Sequence, residues 1–332
     1  MIQLLPTRLQ HMTWQYSLKD AITSPADITL LDTESRQFSP AAHGQFPLRV
    51  PPAFADLIDP DNPDDPLLRQ VFPDVREDEP VAGFGADPLN EQDFQPAPGI
   101  LHKYHGRVLL LLTAACAIHC RYCFRRHFPY SDSNPLNSHW PATLDYLRTH
   151  DDVREVIFSG GDPLMLDDEK LTVLVRDLET IPHLRRLRIH TRMPVAAPER
   201  INPEFIDLLA QSRLRPVVVV HVNHAQELGV PARRAIRALR NAGVTLLNQS
   251  VLLRAINDSA AVLVELSESL FELGVMPYYL HLLDPVAGAA HFRVDKATAK
   301  RLHTEIQKLL PGYLVPRLVR EVAGFPNKQL LV

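Results

Sequence analysis

The chain has 332 residues, of which 45% are hydrophobic, and a formal net charge of −4. This length allows a large buried core, and the small net charge without any basic stripe excludes a dedicated nucleic-acid binder. The N-terminal residues lack the features of a signal peptide, and no stretch reaches the roughly 18 apolar residues of a membrane span, so we expect a cytoplasmic protein with no membrane partner.

Residues 1–100 hold 14 of the 29 prolines, which predicts a Pro-rich, partly helical N-terminal extension that wraps a core formed by residues 101–332. Short helices are predicted at His11–Ile22, Pro51–Ile58 and Pro66–Gln70. Between residues 56 and 93, twelve acidic residues stand against two arginines. We interpret this acidic stretch as a solvated face.

From residue 107 onwards the pattern alternates between strands and helices. The predicted strands are short and rich in Val, Ile and Leu, as buried parallel strands are: Val108–Leu112, Glu155–Phe158, Arg186–His190, Pro216–Val222, Val244–Leu252 and Met276–Leu283. The predicted helices are His139–Thr149, Asp168–Thr180, Pro203–Gln211, Ala232–Asn241, Ala260–Leu273 and Lys296–Leu310. Six βα units of this kind form either a doubly wound sheet or an open partial barrel. In both folds the chemistry lies at the carboxyl ends of the strands.

All three cysteines of the chain follow the first of these strands. Cys116, Cys120 and Cys123 form a C-x3-C-x2-C motif. Three thiolates can hold three irons of a [4Fe-4S] cluster and leave the fourth iron open to S-adenosylmethionine (SAM). The alternatives are buried thiols, a zinc site completed by His119 or His127, and a disulfide, which the odd number of cysteines disfavours.

Polar groups follow the other predicted strands as well. Two glycines in Ser159-Gly160-Gly161-Asp162 allow a ligand to approach the backbone, although a plain βα turn has the same pattern. Asn248 and Gln249 interrupt an apolar strand, and a buried amide needs partners, so we expect ligand contacts there. The histidines of this rim, His190, His221 and His224, are interpreted as hydrogen-bonded residues. Lys328 is either an exposed lysine near the C-terminus or a Schiff-base partner of pyridoxal phosphate (PLP).

Several segments together resemble the lysine 2,3-aminomutase family, and in particular its short bacterial branch. They are HKYHGRVLLL, CRYCFRR, FSGGDPL, LNQSVLLR, MPYYLHLLDPVAGAAHF and GYLVPRLVRE, and the resemblance runs from about residue 50 to the end. It implies a partial (βα)6 radical SAM barrel and conversion of lysine to β-lysine by an isomerase. The implied cofactors are a [4Fe-4S] cluster, SAM and PLP.

The resemblance also implies roles for individual residues. Cys116, Cys120 and Cys123 would bind the cluster and Lys328 would bind PLP, which Lys103, Tyr104 and Arg107 would also contact. Ser159, Gly160, Gly161, Asp162 and Gln249 resemble SAM contacts. Arg125 matches the residue that grips the substrate carboxylate, and Asp284 and Glu321 match the two acids that bind the distal ammonium, although the second acid is usually Asp.

The implied partners are free or protein-bound lysine, an electron donor such as flavodoxin or ferredoxin, and elongation factor P or its lysine ligase. Long members of the family carry a glycine-rich loop before the PLP lysine and a zinc-binding C-terminal extension. Here the loop reads FPNK and the chain stops at Val332, so we expect a dimer or monomer. Two other functions stay open: a radical SAM activase or methylase without PLP, and a zinc-stabilised interaction module.

Overall fold

The computed structural model describes residues 13–28, 37–130, 136 and 139–331. Its nine strands form one sheet whose strands are in chain order. The strands are β1 (Ile100–Tyr104), β2 (Arg107–Leu111), β3 (Glu155–Ser159), β4 (Arg186–Thr191), β5 (Arg215–Val220), β6 (Thr245–Leu252), β7 (Met276–Leu282), β8 (Arg317–Arg320) and β9 (Gln329–Leu330). Strands β2 to β8 are parallel to their neighbours, while β1 and β9 are antiparallel at the two edges.

The strand order decides between the two folds that the sequence allows. In a doubly wound sheet the strand order reverses at a switch point, whereas here each crossover steps to the next strand in the same direction. With right-handed crossovers, all the helices then lie on one face of the sheet, and the sheet curls into an open barrel. The predicted α/β class and partial (βα)6 barrel are therefore confirmed.

The α-helices of the described residues fall into two groups. Those of the N-terminal part are short: α1 (Thr13–Lys19), α2 (Pro25–Ile28), α3 (Pro40–Gln45), α4 (Pro52–Ala55) and α5 (Pro66–Arg69). Those of the barrel are α6 (Trp140–Thr149), α7 (Asp168–Glu179), α8 (Met193–Ala196), α9 (Pro203–Gln211), α10 (Val230–Asn241), α11 (Ala260–Glu272) and α12 (Lys296–Leu309). Short 3-10 helices lie at Val75–Glu77, Glu91–Phe94, Pro163–Met165, Pro198–Arg200, Ala225–Glu227, Ala290–Phe292 and Gly312–Leu314. None of the helices among these residues is long and apolar enough to cross a membrane.

Local sequence explains why the barrel helices begin where they do. The side chains of Asp167, Asn202 and Ser259 each accept a hydrogen bond from a backbone N–H in the first turn of α7, α9 and α11. Such caps satisfy donors that have no partner within the helix. The predicted bounds of the six long helices and six central strands agree with the structure to within two residues at every end. The N-terminal helices are shorter than predicted, and His11 lies outside the described residues.

The N-terminal part shares one hydrophobic core with the barrel. Trp14, Leu48 and Phe54 belong to the same buried cluster as Phe158 of β3 and Val218 of β5. Arg192 and Asn223, which follow β4 and β5, both donate to Gln70 Oε1, so the N-terminal part lies against the carboxyl ends of these strands. The boundary at residue 100 between an extension and a core stays a prediction.

A buried ion pair fixes the cysteine loop to the N-terminal part. The Arg121 guanidinium donates from Nε to Glu77 Oε1 at 2.8 Å and from Nη2 to Glu77 Oε2 at 2.6 Å, and Arg126 Nη2 lies 2.8 Å from the same Oε2. All three side chains are at most 1% exposed. The acidic stretch is thus not simply a solvated face, since Glu77 is a buried partner of two arginines.

We expect Glu77→Ala to lower the free energy of unfolding by about 3–5 kcal/mol, because it leaves two buried guanidinium groups without their carboxylate. Urea denaturation monitored by circular dichroism measures this change. Glu79→Ala is the matched control, since Glu79 lies two residues on and is exposed, and it should change the free energy by less than about 0.5 kcal/mol. Equal effects of the two substitutions would contradict the role given to Glu77.

Candidate active site

A cavity of about 740 Å³ runs through the barrel, from residues at the carboxyl ends of the strands, such as Ser159, to residues at their amino ends, such as Arg107. It collects nearly all the residues that the sequence predicted for the site. Lining it are Cys116, Cys120, Cys123, Lys103, Tyr104, Arg107, Arg125, Ser159, Gly160, Gly161, Asp162, Gln249, Asp284, Glu321 and Lys328. These residues come from β1, β2, β3, β6 and the segments that follow β2, β3, β7 and β8. Thiols, carboxylates and a lysine amine therefore share one enclosed space.

The cysteine loop is held against the turn that follows β3. Gly161 N donates to Thr113 O at 2.6 Å and Asp162 N donates to Ala115 O at 2.8 Å. A Cβ atom at Gly160 would lie 2.5 Å from Thr113 O, and Gly160 has a φ of +129° that favours glycine. The two glycines are therefore needed for this close approach of two loops, in addition to any contact with a ligand.

All three thiols line the cavity. Burial and the neighbouring cysteines raise the pKa of the Cys116 thiol well above its usual value, and burial and Cys120 raise the pKa of Cys123 to about 11. Each thiol would lose a proton on binding iron. No group of three His, Cys, Asp or Glu side chains within the described ranges is placed to hold a single metal ion. A cubane does not need such convergence, because each thiolate binds a separate iron, and the residues present fit that group.

An arginine that the sequence analysis did not single out contacts one of these thiols. Arg192 Nη1 donates to Cys120 Sγ at 2.6 Å. Its Nη2 donates to Glu227 Oε2 at 2.8 Å and to Gln70 Oε1 at 2.7 Å. Arg192 thus links Gln70 of the N-terminal part, Glu227 and Cys120 of the cysteine loop in one hydrogen-bond network. In the sequence, only the position of Arg192 directly after β4 indicates that its side chain belongs to the site.

A chain of alternating charges crosses the cavity. Lys328 Nζ pairs with Glu321 Oε2, and Glu321 Oε1 pairs with Lys103 Nζ at 3.1 Å. Lys103 Nζ also lies 3.1 Å from Glu91 Oε1, and Glu91 binds Arg125 through two hydrogen bonds of 2.6 and 2.9 Å. The side chains along this chain are at most 21% exposed. The structure thus joins the predicted PLP lysine to the predicted substrate arginine through two carboxylates.

The pKa shifts follow from these pairings. Burial by itself would raise the pKa of Glu321, but Lys328 and Lys103 beside it hold that pKa well below its usual value. Asp284 has no such cation in contact, so burial and the nearby Glu321 carboxylate raise its pKa to about 7. The two predicted acids therefore differ: the lysines beside Glu321 favour its carboxylate, whereas burial and Glu321 favour the neutral form of Asp284.

The histidines at the rim have different surroundings. His190 and His221 line the cavity, and the Nε2 atom of each is buried with no hydrogen-bond partner within the described residues. Burial lowers the pKa of His221 to about 4 and lowers that of His190 well below its usual value. His281 Nε2 lies 3.1 Å from Gln249 Oε1, whereas His224 caps a 3-10 helix. Two neutral imidazoles therefore line the cavity, each with a buried Nε2 that has no hydrogen-bond partner in the described part of the chain.

The prediction for Asn248 differs from the structure. Asn248 does not line the cavity, because its amide pairs with the backbone of Val222, through Oδ1 at 3.0 Å and Nδ2 at 3.1 Å. The pairing of β6 with β7 shifts register between Asn248 and Gln249, and Gln249 lines the cavity whereas Asn248 does not. Asn248 instead extends the pairing of β5 and β6 beyond the end of β5.

The most important residue that the sequence analysis missed is Glu91. It lies in the acidic stretch that was interpreted as solvated, yet its side chain is 4% exposed. A carboxylate beside Pro-rich turns carries no local signal of burial. Only its contacts with Arg125 and Lys103 identify it as part of the site.

Comparison with known proteins places the chain among enzymes of one kind. Residues 110–266 match the family model of the radical SAM superfamily. The chain is 48% identical to L-lysine 2,3-aminomutase of Haemophilus influenzae, over 98% of this chain and 97% of that protein. It is also 48% identical to L-lysine 2,3-aminomutase of Escherichia coli, over 95% of this chain and 93% of that protein. The Clostridium subterminale enzyme of the same name is 38% identical over 85% of this chain and 68% of its own length.

Proposed function

Because the chain belongs to the L-lysine 2,3-aminomutase family of radical SAM enzymes, we propose that it moves the amino group of lysine from C2 to C3, giving β-lysine, and that it needs PLP to do so. One observation carries the proposal. The three thiols, Lys328 and the predicted substrate-binding side chains open into the same cavity.

The cavity has residues for each cofactor that the family implies. Cys116, Cys120 and Cys123 would hold a [4Fe-4S] cluster with SAM, and Lys328 is the amine that would hold PLP. When bound, the cluster with SAM supplies hydrogen-atom abstraction, and PLP supplies a π system across which the amine migrates. Arg192 supports this assignment, since its hydrogen bond to Cys120 Sγ is a contact of the kind that sets the potential of such clusters.

The chain's own side chains would hold lysine at both ends. The Arg125 guanidinium suits a carboxylate, since its planar fork binds two oxygens at once. Asp284 and Glu321 would bind the distal ammonium. Because Glu321 already pairs with two amines, the approach of a further ammonium would exchange one of these pairs for another. The barrel wall and the N-terminal part would keep water away from the reacting atoms.

The direct test is anaerobic reconstitution of the full chain with iron, sulfide and PLP, followed by incubation with SAM, a reductant and lysine. We expect β-lysine, detected by mass spectrometry after derivatisation. SAM cleavage without β-lysine would overturn the proposed substrate and reaction. The same assay with PLP omitted separates this function from that of a radical SAM enzyme that works without PLP.

The finer biological predictions are part of the proposal. For a role in the modification of elongation factor P, faster conversion of free lysine than of lysine already attached to that protein would indicate free lysine as the substrate. The opposite order of rates would indicate protein-bound lysine as the substrate.

We expect the KM for lysine to fall as the pH rises from 6 to 8. Asp284 has a pKa of about 7, so it is mostly neutral at pH 6 and mostly a carboxylate at pH 8, whereas the distal ammonium of lysine stays charged throughout. Only the carboxylate attracts the ammonium, and its fraction falls about tenfold per pH unit below the pKa. Steady-state kinetics at several pH values measure the trend. Asp284→Asn should raise KM and flatten the profile, and an unchanged profile in that variant would assign the titration to another group.

A further inference from the structure

Glu91 reaches the cavity from a short segment of the N-terminal part. It is the first residue of the 3-10 helix Glu91–Phe94, and its backbone N–H donates to Asp87 Oδ1 at 3.1 Å. The segment is thus anchored at the residue whose side chain points inward. Its carboxylate is nearly inaccessible to solvent and lies between two cations, Arg125 and Lys103.

The contact between Glu91 and Arg125 uses one particular edge of the guanidinium. Nε donates to Glu91 Oε2 at 2.6 Å and Nη2 donates to Glu91 Oε1 at 2.9 Å. A bidentate pair of this kind fixes the plane as well as the position of the guanidinium. Nη1 donates to Ser159 Oγ at 3.1 Å, which secures the other side. Arg125 therefore has a single orientation in the cavity.

These contacts leave part of Arg125 for a ligand. A guanidinium has five N–H donors, and three of them are used by Glu91 and Ser159. One donor on Nη1 and one on Nη2 have no hydrogen-bond partner within the described residues. Two donors on neighbouring nitrogens match the two oxygens of a carboxylate.

The charges around Glu91 support the same conclusion. Arg125 and Lys103 carry two positive charges, and Glu91 supplies one negative charge between them. The group of three keeps a net charge of +1, which one substrate carboxylate would neutralise. Without Glu91 the two cations would repel each other in a buried space, and Arg125 would lose the partner that fixes its plane.

We propose that Glu91 is a positioning residue for the substrate: it holds Arg125 by the Nε–Nη2 edge so that the two remaining donors bind the carboxylate of the amino acid. This inference rests on the proposed function, in which Arg125 is the carboxylate site. Glu91 acts through Arg125 and does not itself contact the substrate.

The test uses the full reconstituted enzyme at saturating PLP and SAM, with Glu91→Gln as the variant. Removing one charged partner of a buried, hydrogen-bonded pair weakens the interaction by a factor of about 10 to 100. We therefore expect KM for lysine to rise by about 10- to 100-fold, with a smaller change in kcat. Lysinamide, which lacks the carboxylate, should be affected much less, so the preference of the enzyme for lysine over lysinamide should fall by a similar factor.

Three comparisons make the test specific. Asp93→Asn is the matched control, because Asp93 lies on the same 3-10 helix and is exposed, and it should leave both KM values unchanged. Glu91→Asp keeps the charge on a shorter side chain and should give a KM for lysine between those of the wild type and Glu91→Gln. Cluster absorbance and PLP content should equal the wild-type values in all variants. If Glu91→Gln fails to take up its cofactors, Glu91→Asp carries the test by the same lysine-to-lysinamide comparison.

Two results would overturn the positioning role. An unchanged preference for lysine over lysinamide in Glu91→Gln and Glu91→Asp would show that Glu91 does not act through the carboxylate site. A lower KM for lysine in Glu91→Gln would show that Glu91 occupies the substrate's place and must leave it. Failure of the proposed function is distinguishable from both, because the wild-type enzyme would then make no β-lysine.

Discussion

Replacing Lys328 by alanine is expected to abolish formation of β-lysine, with a loss of at least about 10³-fold in rate, while the iron content and SAM binding stay at the wild-type level. Two lysines, Lys103 and Lys328, are among the described residues that line the cavity. Lys328 forms an ion pair with Glu321. The substitution removes the amine that would bind PLP covalently. It leaves the contacts of the cysteine loop unchanged. Absorbance spectra of PLP-treated protein and mass spectrometry after borohydride reduction would measure the covalent attachment.

Lys308→Ala is the control for this variant, because Lys308 lies on α12 and is exposed to solvent. It should keep both PLP binding and turnover. If Lys328→Ala still formed β-lysine at a rate within a factor of ten of the wild type, Lys328 would not be the PLP lysine. Retention of β-lysine formation together with loss of PLP would show that the reaction does not need PLP.

Replacing Cys123 by alanine is expected to prevent binding of the cluster. The rate of SAM cleavage should then fall by a factor of at least about 10³. The chain has only three cysteines, so no other thiol can replace the lost ligand, and a cubane held by two thiolates loses its protein anchorage. Anaerobic iron and sulfide determination, together with electron paramagnetic resonance of the reduced protein, measures the loss. Methionine formation from SAM gives the corresponding rate.

The two variants serve as controls for each other. Cys123→Ala should still bind PLP at Lys328, and Lys328→Ala should still bind the cluster. A preparation that contained stoichiometric zinc and no iron would contradict the cluster and favour a zinc-stabilised module. Full iron content in Cys123→Ala would contradict the role of that thiol.

The sequence predicted the elements of the barrel well, and the reason is physical. Strands such as β3 and β5 are buried on both faces, so they read as uninterrupted apolar runs, and helices such as α9 and α11 begin at side chains that cap them. Both signals are local in the chain. Strands β1, β8 and β9 were not predicted, since they are short and the two edge strands, β1 and β9, each pair on one side only.

The sequence by itself also indicated the kind of chemistry: three clustered thiols predicted a site for an iron–sulfur cluster, and the resemblance of several segments to one enzyme family predicted PLP at Lys328. Only the tertiary structure decided which charges meet. Lys103 and Glu321 are 218 residues apart in the chain, and Glu91 and Arg125 are 34 apart, yet they form one buried row of ion pairs. Pairing of this kind depends on burial and on distance in space, which no local pattern of residues encodes. For that reason Glu91 and Glu77 were read from the sequence as part of a solvated face, and the fold places them beside the arginines of the cysteine loop.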